Sequence, residues 1–177
     1  MPQANRLNLP SASVKRQIES KGFWNDCRSA TTADFFTLGY TGRKTEEIIE
    51  VLKAYGVRTL VDIRQNAVSM YRPELSKSNL ARLLQENDIH YAHLPKLGVP
   101  RDIRAKAIET GTRDVIWDWY DEHVIHEFFG ISRNLHFFLN FVEHPVALMC
   151  TEIDPQECHR HRLSLALEQM GMRGFDL

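Results

Sequence analysis

The chain has 177 residues, 43% apolar and 25% charged, with a formal net charge of -1. That length holds one full-sized core and not comfortably two, and the composition excludes a disordered or fibrous chain. The near-neutral charge excludes a global pull toward nucleic acid or anionic membrane, so such a partner must be held by a local patch.

Residues 1–33 are polar, Ser- and Asn-rich and without sustained period, which predicts a partly ordered N-terminal extension. Residues 34–177 are then the folded domain. No apolar run reaches membrane-spanning length and the N-terminus lacks a signal-peptide apolar segment, so a cytoplasmic protein with no membrane partner is expected. Three cysteines, two of them close together in one motif, argue for reduced thiols over a disulfide framework.

From Asp34 the pattern becomes regular. Phe35 to Leu38 reads as a short buried strand stopped by Gly39. Thr45 is expected to cap a helix (TEEIIEVLKAYG) with glutamates in its first turn, Ile48, Ile49 and Leu52 on one face, and Gly56 past its end. Val57 to Ile63 is a β-branched second strand. SKSNLARLLQEND is another capped helix, and Ile89 to Leu94 a third strand. Residues 101–143 read as mostly helical, with Ser132 as a helix cap. There Trp117, Trp119, Tyr120, Phe128 and Phe129 recur at the spacing of a core face, and Arg101 to Lys106 fits a solvated basic face. Val146 to Cys150 is the fourth strand, and PQECHRHRLSLALEQMG the last helix, closed by Gly171.

Strands alternating with helices require crossover connections and hence parallel pairing, and short continuous apolar strands fit burial on both faces. The predicted fold is α/β: a single three-layer, Rossmann-like domain of about four parallel strands with covering helices.

In such a sheet, ligands bind outside the carboxyl ends of the strands. The first strand delivers Tyr40 there, the second Asp62 and Arg64 with a loop holding Ser69. The third delivers His93 and Lys96, and the fourth Cys150, Thr151 and Glu152. Four strands supplying polar side chains to one edge predict a shared pocket.

The stretches TLGYTGRKTEEIIEVLKAYGVRTLVDIRQNAVSMYRPELS, IHYAHLPKLGVP and ALMCTEIDPQECHRHRLSLAL resemble the DUF488 family, from about Phe36 to Met170. Cys150, Glu152, Pro155, Cys158, His159 and Arg160 match its C-x-E-x-x-P-x-x-C-H-R signature, and Asp62 and Arg64 its V-D-x-R strand end. Two positions depart from it: Tyr40 stands where a histidine or similar polar residue is usual, and Gln65-Asn66-Ala67 where a proline is usual. The resemblance implies the α/β fold and a common site, and supplies no reaction.

The residues themselves suggest chemistry. If Pro155 opens the last helix, Cys158 sits within its first turn, where the helix dipole and Arg160 favour thiolate. Glu152, between a strand end and a helix start, suits a nucleophile or general base, with Asp62 as second carboxylate. Tyr40, Arg64, Arg160, Ser69 and Lys96 would bind an anionic group. The expected catalytic set is therefore Glu152, Asp62 and Cys158. The expected activity is hydrolysis or glycosyl transfer on a phosphate-bearing nucleotide or nucleic-acid substrate. The alternatives are a non-catalytic nucleic-acid or nucleotide binding module, and a metal- or thiol-dependent protein using Cys150 and Cys158.

No metal and no cofactor are expected. The C-x7-C spacing matches no common zinc knuckle, and consecutive Cys158 and His159 on one helix would diverge by about 100°. His90 and His93 fall on opposite faces of their strand, and His159 and His161 read as surface or capping residues. The expected partner is an anionic small molecule or nucleic acid.

Overall fold

The computed structural model describes residues 32–126, 139 and 141–177. The extension expected over residues 1–33, the Ser132 cap, Phe128 and Phe129 lie wholly or almost wholly outside them. Among the described residues five strands are formed: β1 (Phe35–Gly39), β2 (Thr59–Asp62), β3 (His90–His93), β4 (Val146–Cys150) and β5 (Gly174–Asp176). All pair in parallel, in the order β3-β2-β4-β1-β5. The helices are α1 (Thr45–Ala54), α2 (Lys77–Gln85), α3 (Arg101–Thr110), α4 (Asp114–Tyr120), which runs on as a wider turn over Asp121–His126, and α5 (His159–Gln169). This is the expected open α/β sheet, with one more strand than the sequence predicts. β5 escapes prediction because it has three residues and begins with glycine, too short for a period to register.

Side-chain alternation along the strands builds two separate cores. Phe36, Leu38, Leu60, Ala147 and Met149 face α1 and α2, meeting Ile48, Leu52, Leu80 and Leu84. Phe35, Val61, Leu148 and Cys150 face the other way, onto Ile103 of α3, Tyr120 of α4 and Leu163 and Leu167 of α5. Helices on both faces and a sheet between them make three layers. Tyr120, fully buried, donates its hydroxyl to the Leu97 carbonyl at 2.9 Å, so its polar end is satisfied inside the second core.

One helix start differs from expectation. Lys44, not Thr45, precedes the first turn of α1, and its N–H is held by the Glu47 carboxylate at 2.8 Å. The Thr45 hydroxyl is occupied elsewhere, accepting from Arg72 Nη2 at 3.2 Å. A long-range partner has displaced the local cap.

Candidate functional site

Strand register places the strand ends in one row. Gly39 lies beside Cys150, Asp62 beside Met149 and His93, so the chain leaves β1, β2, β3 and β4 at a single edge. Gly39 is where β1 meets the loop after β4: a Cβ there would lie 1.8 Å from the Glu152 carbonyl oxygen. Beyond this row lies a pocket of about 240 Å³, whose lining includes Tyr40, Arg64, Cys150, Thr151, Glu152 and His159. Tyr40, Arg64 and Glu152 are thus brought together. Asp62, Cys158, Ser69, Lys96 and Arg160 do not line the pocket.

Asp62 is fully buried, and its carboxylate is saturated by neighbours. It accepts from Arg64 Nε at 2.9 Å, Arg64 Nη2 at 2.6 Å, the Arg64 N–H at 3.0 Å and the Tyr91 hydroxyl at 2.8 Å. Burial opposes the Arg64 charge, but the Asp62 carboxylate outweighs it and holds the guanidinium above its usual range. Arg64 also donates to the Leu75 carbonyl and reaches the Tyr40 hydroxyl at 3.4 Å, with its guanidinium 5.2 Å from the Tyr40 ring centre. Asp62 is therefore a brace that orients Arg64, and Arg64 in turn positions Tyr40 at the pocket wall. His93 belongs to the same brace, its Nε2 lying 2.8 Å from the Arg64 carbonyl oxygen. Ser69 is engaged in its own loop, accepting the Arg72 N–H at 3.1 Å, and Lys96 is exposed on the turn Pro95–Leu97.

Arg160 holds the stretch after β4 in place. It is 1% exposed and donates to the carbonyls of Glu152 and, at 2.9 Å, Ile153. It also reaches Thr37 at 3.4 Å and Asp176 at 3.6 Å. The backbone of Glu152 is thereby fixed while its half-buried carboxylate faces the pocket.

The local path of the chain corrects one argument from sequence. Pro155 opens only a 3₁₀ turn (Pro155–Glu157), and α5 begins afterwards. Cys158 is the residue capping α5, with extended backbone (φ -127°, ψ 141°) and its sulfur accepting the Arg160 N–H at 3.5 Å. Because Cys158 is not yet helical, the divergence of about 100° between consecutive helical residues does not apply to Cys158 and His159. His159 is buried, not a surface residue: its Nδ1 lies 3.7 Å from Cys150 Sγ and 3.9 Å from Cys158 Sγ. The Tyr120 ring covers it at a centroid distance of 5.1 Å. Both cysteines are buried and free, and Cys150 Sγ lies 3.5 Å from Glu152 Oε2.

The two thiols are driven apart electrostatically. Burial, reinforced by the neighbouring Cys158 sulfur and Glu152, pushes Cys150 well above the ordinary thiol range. Burial opposes ionisation of Cys158 too, but hydrogen bonds from Cys150 and His159 and the His159 and Arg160 charges overcome it and take this thiol well below. Burial, and then the negative Cys158 sulfur, raise the Glu152 carboxyl.

Three further residues line the pocket without a motif in the sequence to mark them: Arg104, Arg113 and Trp117. Arg104 and Arg113 are exposed at the pocket, Arg113 paired with Glu157 at 3.1 Å, and Trp117 lies beside them. Arg104 sits in the basic stretch that reads as a solvated face; α3 buries Ile103 in the second core and leaves Arg104 at the pocket.

Among the described residues, no helix is long and apolar enough to cross a membrane. The curated proteins and the solved structures each yielded no match to this chain. The family model for DUF488, a domain of unknown function, matches residues 44–167 and spans most of the chain, including β2, β3, β4 and the whole Cys150 to Arg160 stretch. The chain belongs to the DUF488 family.

Proposed function

We propose that this protein is an enzyme whose reaction takes place at the carboxyl edge of the sheet, on a phosphate-bearing substrate of nucleotide or nucleic-acid type. The observation that carries the reading is the meeting of a fixed carboxylate, Glu152, with Tyr40, Arg64 and His159 around one pocket at four strand ends. Glu152 is the proton-transferring or nucleophilic group. Its backbone is anchored by Arg160, so the side chain is presented to the pocket without being needed to hold the turn. Arg104 and Arg113 receive the anionic group, in place of the buried and engaged Arg160. Asp62 acts through Arg64 as a positioning residue. Hydrolysis or transfer at a glycosidic bond suits a carboxylate placed beside an anion-binding rim.

The test is a panel of ribonucleotides, deoxynucleotides and short single-stranded oligonucleotides, followed for binding by thermal shift and for turnover by product chromatography. A ligand should bind to wild type and Glu152→Gln alike, be weakened on the order of tenfold by Arg104→Ala, and be converted only by wild type. Turnover that survives Glu152→Gln would remove the catalytic role. A second reading, a non-catalytic binding module, draws on the exposed loop after β2, where Tyr71 is 99% and Met70 89% exposed. Binding without turnover by wild type, weakened by Tyr71→Ala, would favour it.

A further inference from the structure

We propose that Cys150, Cys158 and His159 form a three-ligand site for a divalent, zinc-like cation just beneath the pocket wall that Cys150 and His159 contribute, leaving a fourth coordination position for water or substrate. The proposal deepens the enzymatic reading and rests on it only for the role of that fourth position.

The candidate ligand atoms of the three residues lie within 4.8 Å of one another, with none contributed by a mobile surface side chain, since all three residues are buried. In a tetrahedral zinc site with Zn–S about 2.3 Å and Zn–N about 2.0–2.1 Å, neighbouring ligands are separated by roughly 3.5–3.8 Å. The His159 Nδ1 to sulfur distances of 3.7 and 3.9 Å are close to those edges, so ligation requires small adjustments and no rearrangement of the backbone. Two thiolates and an imidazole are also the donor set that suits a borderline-soft cation, and a Cys₂His set is one of those found in catalytic zinc sites.

The sequence builds this arrangement in three steps. β4 ends on Cys150, pointing into the α5-side core. The 3₁₀ turn at Pro155–Glu157 delays the start of α5, leaving Cys158 extended. His159 then starts the helix, with the Tyr120 ring packed on its imidazole. A spacing that resembles no zinc knuckle thus closes through a turn that does not behave as helix.

Coordination would also strengthen the contacts within this cluster. Two buried thiols, a buried imidazole and a carboxylate contact one another at hydrogen-bond lengths typical of weak sulfur contacts, and a cation would replace these with strong bonds. Cys150 and His159 line the pocket, so a bound cation has an open side facing it. Glu152, 3.5 Å from Cys150 Sγ, stands beside that side. There a water held by the cation passes one proton to the Glu152 carboxylate and remains as metal-bound hydroxide, the attacking group for a hydrolytic step.

The test uses full-length protein kept reduced and loaded with Co²⁺, whose tetrahedral thiolate complexes are coloured. The expected result is one Co²⁺ per chain, with the strong visible bands of a tetrahedral site and thiolate-to-metal charge transfer, displaced by Zn²⁺. Loss of an outer-shell partner costs roughly 10–100-fold in metal affinity. Loss of a direct ligand in Cys150→Ser, Cys158→Ser or His159→Ala should therefore weaken binding by more than that. Glu152→Gln should retain the ion with its tetrahedral spectrum. Because a ligand variant could misfold, far-UV circular dichroism of each variant accompanies the titration, and competition by Zn²⁺ against a chelator in wild type decides the matter without any variant. Wild type that fails to retain Zn²⁺ or Co²⁺ against a weak chelator overturns the proposal, as does a Co²⁺ spectrum without thiolate charge transfer. Stoichiometric metal with no turnover of any nucleotide would leave this site standing and remove the substrate reading. Turnover undiminished in metal-stripped protein would leave the substrate reading standing and remove the metal-bound hydroxide from the reaction.

Discussion

At the scale of single residues, the two arginines of the signature regions differ in what they do. Arg160 is a buried clamp on the carbonyls of Glu152 and Ile153, and Arg64 is a half of a buried ion pair with Asp62. Replacing Arg160 by Met takes the charged donor from those two carbonyls, and breaking such a buried arrangement costs about 3–5 kcal/mol. Urea unfolding of Arg160→Met should show a loss of that size; a loss below about 1 kcal/mol would mean the clamp is not structural. For Asp62 and Arg64, a double-mutant cycle of Asp62→Asn and Arg64→Met should give a coupling of about 1–3 kcal/mol, since the two side chains contact each other directly. Additive effects would contradict the brace. Glu152→Gln should change stability by no more than about 1 kcal/mol, because the turn is held by main-chain bonds to Arg160. Much of this was legible in sequence as a list of residues, but their division of labour was not. Whether an arginine faces a ligand or a pair of carbonyls depends on β4 and α5 meeting across 8 residues of irregular chain, Thr151 to Cys158, which carries no period to read.

At the scale of elements, four strands and the helices between them follow from β-branched runs, apolar periodicity and glycine stops. The misreadings fall where two elements meet. Thr45 loses its capping role to Arg72, a contact between α1 and the loop after β2. Cys158 and His159 differ from the sequence expectation because Pro155 opens a 3₁₀ turn and not α5, so the helix starts only after Cys158. Gly39, by contrast, ends β1 as its sequence implies and has a second purpose at the junction of β1 with the β4 loop. Gly39→Ala drives a methyl group into the Glu152 carbonyl, a backbone atom held by Arg160 and unable to turn aside. The expected result is a destabilisation of about 1–3 kcal/mol together with loss of ligand binding at the pocket. Unchanged stability and unchanged binding in Gly39→Ala would show that this junction does not shape the site.

At the scale of the whole molecule, the sheet order puts β4 at the centre, between β2 and β1, and β3 and β5 at the edges. Stability should follow that order: amide hydrogen exchange should be slowest in β4 and its neighbours, and faster in the three-residue β5. Exchange in β4 as fast as in β5 would contradict the topology. The same order gathers the signature onto one edge, since β4 lies next to both β1 and β2 and its carboxyl end therefore faces Tyr40 on one side and Arg64 on the other. The α/β class was readable from alternation alone; the strand order was not, because nothing local in β4 tells it to insert between β1 and β2. The central claim is that this edge is where the protein acts. The measurement that tests it most directly is a crystal structure of the full chain with the phosphate-bearing ligand that most raises its melting temperature. The account predicts ligand density over Glu152, its anionic group toward Arg104 and Arg113. Density instead in the cleft at the opposite strand ends, between Asp34, His144 and Met172, with the Glu152 pocket unchanged, would contradict it.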